Sequence, residues 1–357
     1  MRILHIITTL CTGGAEHLMV DLLPQLNNGG DVAELLLFDG TVTPFYKELA
    51  SRKIKIHSLG KGGNVYNPMN ILKLVSFIGQ YDIIHTHNTA CQLFAPMAKL
   101  LSLTHKPLVT TEHSANNRRR GKWWLKPLDR WMYNRYRAVI CIADKTQANL
   151  ENYIGKKENI LTIYNGVDTR RFICPIKDIS QQHQFVITMV ASLSAAKDQD
   201  TLIRAMSHLP ENYTLQLVGD GERRPILEQL IADLNLQDRV KMPGIRTDIP
   251  QILENSDIVA LSSHWEGLSL SSIEGMASGR PFIASDVDGL REIVDGSGLL
   301  FPEGDDRQAA ALIHNLCTYP SEYRTVAERC QAKAKEYDIS KMARSYLELY
   351  RSISEIN

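Results

Sequence analysis

Strand-length apolar runs alternate with helix-length amphipathic stretches along this chain, stop once, and then resume. In the first stretch the runs lie at 3–7, 34–38, 54–58, 82–85, 108–111, 138–143 and 160–163, with helix-period segments such as 15–26 and 68–78 between them. Strands that alternate with helices form βαβ units, because a parallel neighbour is reached only by a crossover, and the resulting sheet is buried on both faces. The break is FICPIKDISQQHQ at 172–184, polar and holding Pro175. The pattern then returns, with strands at 185–190, 214–218, 240–242, 258–261 and 281–284 and helices at 199–207 and 223–234. The sequence thus predicts an α/β protein of two doubly wound domains, 1–171 and 185–338, joined by a linker at 172–184 and followed by a helix over 339–357. Its 357 residues suffice for a sizeable core in each. Open parallel sheets take ligands beyond the carboxyl ends of their strands, so a bisubstrate enzyme that closes over its donor is one natural use of two such domains.

Net charge is zero, which gives no global pull toward nucleic acid, but the charges are unevenly spread. Residues 1–171 hold 22 Lys+Arg against 13 Asp+Glu; from totals of 40 and 40, the remainder holds 18 against 27. The first domain is therefore expected to face something anionic. Six scattered cysteines (Cys11, Cys91, Cys141, Cys174, Cys317, Cys330) contain no C-x-x-C pair, which fits a reducing compartment better than a disulfide framework or a zinc site. MRILHIITTL reads as a first buried strand rather than a signal peptide, and no stretch approaches the ~20 apolar residues of a membrane span. A soluble cytoplasmic protein is expected.

The densest chemistry lies in WEGLSLSSIEGMASGRP at 265–281, where Glu266 and Glu274 stand eight apart around a Gly-Leu-Ser-Leu-Ser run. A helix over 271–277 would leave the backbone N–H groups near Leu268, Ser269, Leu270 and Ser271 free at its start, an anion site suited to a diphosphate. Carboxylates before and within the first turns can accept hydrogen bonds from vicinal hydroxyls of a ribose or a sugar ring. Equally, Glu266 can simply cap the helix while Glu274 is solvated.

The surroundings of the pair decide between these. The run SDIVALSSHWEGLSLSSIEGMASGRPFIASDVDGLREIV resembles the retaining GT-B glycosyltransferases of family 4, whose donor site carries an E-x₇-E element. TTLCTGGAEH, TIYNGVDTRRF, ASLSAAKDQDTLIRAM and LVGDGERRPILEQL resemble further elements of that family in the same order, so the likeness covers nearly the whole chain. It implies a GT-B fold, two Rossmann-like domains facing across a cleft, with the acceptor bound by the first and a nucleotide-sugar by the second. It implies that Glu274 holds the donor ribose, Glu266 the transferred sugar, the amides of Leu268, Ser269, Leu270 and Ser271 the sugar or diphosphate, and Lys197 the diphosphate charge. Where the family commonly has an Arg five residues before this lysine, the chain has Ser192, so one cation is missing; Arg246 or a residue from the other domain is a candidate replacement.

In the first domain Gly13 and Gly14 lie between a strand and a helix, where glycine permits either a tight turn or close approach of a phosphate or acceptor; Gly14 is counted with the donor site. No G-x-G-x-x-G follows, which argues against a nicotinamide enzyme. His113 matches a family histidine near the donor sugar and is expected to hydrogen-bond rather than attack. His85 and His87 end a strand but suggest no third metal ligand, so both are expected to be structural. Asp198/Asp200 and Asp286/Asp288 each have the D-x-D form, yet sit where the family has ordinary loops, and no metal or other cofactor is expected.

The segment 116–137 holds eight Lys/Arg, one acid and three of the four tryptophans, with Trp124, Leu128 and Trp131 on one face of a predicted helix. Arg118, Arg119, Arg120, Lys122, Trp123 and Trp124 are the candidates for meeting a lipid-linked acceptor's diphosphate or an anionic membrane, on the inner face of which the protein would then sit. Packing into its own domain explains the tryptophans equally well, and no nucleic-acid motif accompanies them. The expected reaction is retaining transfer of a sugar from a nucleotide-sugar, a UDP-sugar first, to a glycan or lipid-linked acceptor, as in bacterial surface polysaccharide synthesis. A nucleotide-sugar epimerase on the same fold and a non-catalytic GT-B subunit are the rivals.

Overall fold

The computed structural model describes all residues except Thr12, Asn28, Gly29, 114–117 and 355–357, and of Arg118 only the backbone. The chain divides into two compact units, Met1–Gly166 with Ile339–Asn357, and Val167–Asp338. Each is built on one parallel sheet.

The first unit contains β1 (Arg2–Ile7), β2 (Val32–Leu37), β3 (Ile56–Ser58), β4 (Ile83–His87), β5 (Leu108–Glu112), β6 (Ala138–Cys141) and β7 (Ile160–Thr162). Their order is β3-β2-β1-β4-β5-β6-β7, every pair parallel. Residues of β1 show why the runs read as strands: Ile3, Leu4, Ile6 and Ile7 are all fully buried, Ile3 and Ile7 toward one core, Leu4 and Ile6 toward the other. Burying each such side chain contributes about 1.5–3 kcal/mol. The first core is covered by the helices Gly14–Leu26 and Ile339–Ser354, the second by Met69–Ile78, Thr89–Ser102 and Lys126–Tyr133. The C-terminal helix buries Ile339, Met342, Ala343, Tyr346, Tyr350 and Ile353, a helical stripe, against the face of the sheet that carries the odd-numbered side chains of β1.

The second unit contains β8 (Phe185–Val190), β9 (Tyr213–Val218), β10 (Val240–Gly244), β11 (Ile258–Leu261), β12 (Phe282–Ser285) and β13 (Leu299–Phe301), in the order β10-β9-β8-β11-β12-β13, again parallel throughout. In both sheets the order reverses beside the first strand, the switch point at which doubly wound folds bind ligands. Residues 172–184 pack within this unit: Ile179 is buried, Lys177 reaches the Asp257 carboxylate at 2.5 Å, and Arg280 donates to the Pro175 carbonyl at 2.9 Å. No described helix is long and apolar enough to cross a membrane.

Candidate functional site

In the second unit, β11 ends at Leu261 and the chain enters the Glu266 loop. The helix that follows is Leu270–Ala277, one residue earlier than the spacing predicts, because Ser269 is its cap: the Ser269 hydroxyl accepts from the Ser272 amide at 3.4 Å. Glu266 is therefore not the cap. The first N–H groups of this helix lie at the carboxyl end of β11, with Leu268 and Ser269 buried and Leu270 and Ser271 half-buried. Glu274 is buried on the same helix rather than solvated. Gly275 sets the depth of the helix, since a Cβ there would lie 2.7 Å from Val259 Cγ1 and 2.9 Å from the Phe282 ring. Only a residue without a side chain lets the helix lie that low on β11 and β12.

Lys197 sits on the turn Ala195–Lys197 after β8. Its Nζ donates to Glu266 Oε1, which also accepts from the Ser263 hydroxyl at 2.8 Å. Two residues 69 apart in sequence thus meet through the adjacency of β8 and β11. Both side chains are mostly shielded from water, so their attraction exceeds that of a surface pair. The loops after β8 and β9 also close on each other: a Cβ on Gly219, whose φ is +140°, would lie 2.0 Å from the Ala191 carbonyl oxygen, and one on Gly221 2.3 Å from that of Leu193. Ser192, between those carbonyls, is exposed. Arg246 is engaged by Asp248, with Nε 2.8 Å from Oδ1.

The D-x-D pairs are taken up locally. Asp286 and Asp288 both face Arg291, Asp198 accepts from Thr201, and Asp200 pairs with Arg223.

In the first unit, Gly14 opens the helix Gly14–Leu26, and a Cβ there would meet nothing within 4 Å. His113 follows β5; Ser114 and the rest of 114–117 lie outside the described residues. The sequence pattern missed His5, which stands opposite His85 in the register of β1 and β4. Because side chains two apart share a face, His5, His85, His87 and Thr111 project to one side of the sheet, where His5, His85 and Thr111 meet tyrosines of the C-terminal helix, and His113, just past β5, meets His87. His85 bonds the Tyr350 hydroxyl through Nδ1 and Thr111 Oγ1 through Nε2 at 2.8 Å, and Thr111 in turn meets the Tyr346 hydroxyl at 3.1 Å. His5, His85 and His87 each bring one ring nitrogen within 4.8 Å of the others, so a third potential ligand does exist. Both nitrogens of His85 and of His87 already have partners, however, and these two rings stack with centroids 4.4 Å apart and planes 24° from parallel. Their in-plane lone pairs run nearly side by side rather than toward one ion. Burial lowers the pKa of His5 to about 3 and of His113 to about 4, so the group is neutral at neutral pH.

The basic segment differs from the expected amphipathic helix. Asn116 and Asn117 are outside the described residues, as is the side chain of Arg118. The rest forms two short 3₁₀ turns, Arg118–Gly121 and Trp123–Leu125, before the helix Lys126–Tyr133, so Trp124 does not share a helical face with Leu128 and Trp131. Pro127 at the first turn of that helix, with the glycine at 121, limits its extent. Arg119 pairs with the buried Asp129, and Arg120 with the buried Glu112 at 3.0 Å, where Tyr133 and Gln92 also donate. Trp131 packs against the core, whereas Trp123 is 84% and Trp124 59% exposed, with Lys122 Nζ 5.8 Å from the Trp124 ring centroid.

Two Rossmann-like units, the second carrying a capped helix with a buried acid beside a lysine-held glutamate, give this chain the GT-B fold of glycosyltransferases. Comparison with known proteins gives the family. Residues 176–336 match the model of glycosyl transferases group 1 and residues 12–171 that of glycosyltransferase family 4, and the chain belongs to these glycosyltransferases. EpsD of Bacillus subtilis is 28% identical over 82% of this chain and 83% of its own. The UDP-Gal:alpha-D-GlcNAc-diphosphoundecaprenol alpha-1,3-galactosyltransferase of Escherichia coli is 31% identical over 59% of each. Anabaena HepE, solved with UDP, superposes with a TM-score of 0.85 at 25% identity over 99% of this chain and all of that one. Its complex with UDP-glucose gives 0.83 at 26% over 98% and 99%.

Proposed function

We propose that this glycosyltransferase moves a sugar from a UDP-sugar to a glycan or lipid-linked acceptor with retention at the anomeric carbon, in the assembly of a bacterial surface polysaccharide. The observation that carries this is the Lys197–Glu266 pair beside the Ser269-capped helix that bears Glu274. An arriving diphosphate competes for the Lys197 ammonium, and Glu266, released from it, turns its carboxylate to sugar hydroxyls. The helix-start amides take the remaining phosphate charge, and Glu274 the ribose. The UDP bound by HepE and the UDP-Gal named for the Escherichia coli relative support the choice of nucleotide.

In the step itself the bond from the anomeric carbon to the β-phosphate oxygen breaks, and the acceptor oxygen bonds that carbon on the same face. The acceptor proton passes to the departing phosphate oxygen. The protein's share is orientation and stabilisation of the diphosphate charge that develops. No metal or cofactor is assigned a part. Exposed Trp123 and Trp124 with Lys122 would meet the acceptor's lipid diphosphate or an anionic membrane face.

The experiment is a thermal-shift series with UDP-, GDP- and ADP-sugars, followed by donor hydrolysis and NMR of the product anomer. A ligand at a hundred times its Kd adds ~2.7 kcal/mol of stability. Melting raised by UDP-sugars and a product of donor configuration are expected. A binding subunit would release no UDP, an epimerase would return the epimeric sugar, and either outcome would overturn the proposal.

A further inference from the structure

His5, His87 and His113 form one continuous chain of ring-to-ring hydrogen bonds. His5 Nδ1 lies 3.0 Å from His87 Nε2, and His87 Nδ1 lies 2.9 Å from His113 Nε2. Ring centroids stand 5.3 Å and 5.2 Å apart, and the planes of His5 and His87 differ by only 11°. Those separations leave room for one shared proton in each gap and nothing else. The two outer nitrogens, His5 Nε2 and His113 Nδ1, are buried and have no partner among the described residues.

A neutral imidazole carries one N–H and one lone pair. Three neutral rings hold three protons; two occupy the gaps, and the third must sit at one end. If it is on His113 Nδ1, that ring accepts at Nε2 from His87 Nδ1–H, and His87 accepts at Nε2 from His5 Nδ1–H, so all three rings are Nδ1–H tautomers. If it is on His5 Nε2, every hydrogen bond reverses and all three are Nε2–H tautomers. A mixed set would put two protons, or none, in one gap.

We propose that His87 and His5 are positioning residues that fix the tautomer of His113, so that His113 Nδ1 meets a substrate hydroxyl as a donor in one state and as an acceptor in the other. His113 stands at the carboxyl end of β5, the end at which parallel sheets take ligands, and its Nδ1 has no partner among the described residues. A sugar hydroxyl is the group that can serve either state, since it both donates and accepts. The identity of that hydroxyl, on the donor sugar or on the acceptor, rests on the glycosyltransferase function proposed above; the chain itself does not. The neutrality it needs follows from burial, which holds His87 well below its ordinary pKa along with its neighbours.

The test is long-range proton–nitrogen NMR of protein labelled with ¹⁵N-histidine, which distinguishes Nδ1–H from Nε2–H rings, with the signals assigned by single histidine substitutions. In the free protein His5, His87 and His113 are expected to share one tautomer or one common ratio of the two. On adding UDP-glucose, UDP-galactose or UDP-N-acetylglucosamine, any change at His113 is expected to appear equally at His5. A change with the nucleotide-sugar but not with UDP assigns the hydroxyl to the donor sugar; a change only on adding a polyprenyl diphosphate-linked sugar assigns it to the acceptor. Three rings of mixed tautomer, a His113 that shifts alone, or a stoichiometric metal ion bound by these rings overturns the proposal. His87→Phe, which keeps the ring stacked on His85, is expected to lower kcat about tenfold, the worth of one hydrogen bond, with the KM for the UDP-sugar unchanged. If no nucleotide-sugar binds, the enzyme assignment fails while the free-protein spectrum still decides the chain.

Discussion

The ammonium of Lys197 is held by the carboxylate of Glu266, a residue from the far side of an intervening βαβ unit, through the pairing of β8 with β11. Each side chain is the other's partner here, and under the proposed function an arriving diphosphate would take the ammonium and the sugar hydroxyls the acid. Lys197→Ala is expected to lower kcat by about 10²–10³, the usual cost of removing one charge-stabilising group from a transition state. Glu266→Gln should cost less, roughly tenfold to a hundredfold, because the amide still accepts and donates hydrogen bonds. Steady-state UDP release by both variants, with melting temperatures alongside, checks this; equal losses of activity and of folding would refute it.

Glu274 is expected to act on binding rather than on chemistry. Glu274→Ala should weaken UDP by about tenfold or more, since hydrogen bonds to a charged acceptor are each worth ~1.5–3 kcal/mol. Calorimetric titration with UDP measures it. Unchanged affinity would remove the residue from the nucleotide site.

Gly275 links packing to that same site. Gly275→Ala drives a methyl group into Val259 and Phe282 and is expected to cost ~1–3 kcal/mol, lowering the melting temperature by several degrees and loosening UDP binding together. Gly79→Ala, where a Cβ would meet nothing within 4 Å, should do neither. A Gly275→Ala protein with native melting and native UDP affinity would contradict the geometry.

Asp31 gives a pH signature. Burial alone would raise its pKa, but the N-terminal ammonium at 2.8 Å and Arg351 at 3.2 Å prevail and hold it below the usual carboxylate range. A carboxyl depressed on folding contributes stability above its unfolded pKa and loses it as the pH falls through the folded value. Asp31→Asn should therefore melt several degrees lower at pH 7, and the gap to the parent should close in acid, below about pH 4. A gap that stayed constant with pH would show the charge to be irrelevant.

Exposed Trp123 and Trp124 make the membrane part of the proposal measurable. Co-sedimentation with vesicles containing an anionic lipid is expected, reduced by Trp123→Ala with Trp124→Ala and by high salt. Equal partition to neutral and anionic vesicles would exclude the electrostatic part.

Much of this was legible in the order of residues. Strand-length apolar runs located the strands because a parallel sheet covered on both faces buries consecutive side chains: β11 falls where the run Ile-Val-Ala-Leu at 258–261 placed it, and β8 where 185–190 did. β13 escaped, since three residues flanked by glycine and proline carry no period. The acid pair and Lys197 were visible as local motifs, and so was the helix that carries Glu274. Trp124 was not: proline and glycine broke the expected helix into turns, and a helical face drawn across them had no physical existence.

By itself, then, the sequence determined two parallel sheets, the residues that face each core, and the chemical types available at the ends of the strands, because burial and hydrogen bonding of the backbone act on near neighbours. Tertiary structure alone decided which distant residues became partners. Nothing local joins His5 to His87 or Lys177 to Asp257; the register of neighbouring strands and the packing of loops on their ends bring them together. Such pairings depend on how many residues each crossover spends before the chain returns to the sheet, and that is a property of the whole fold.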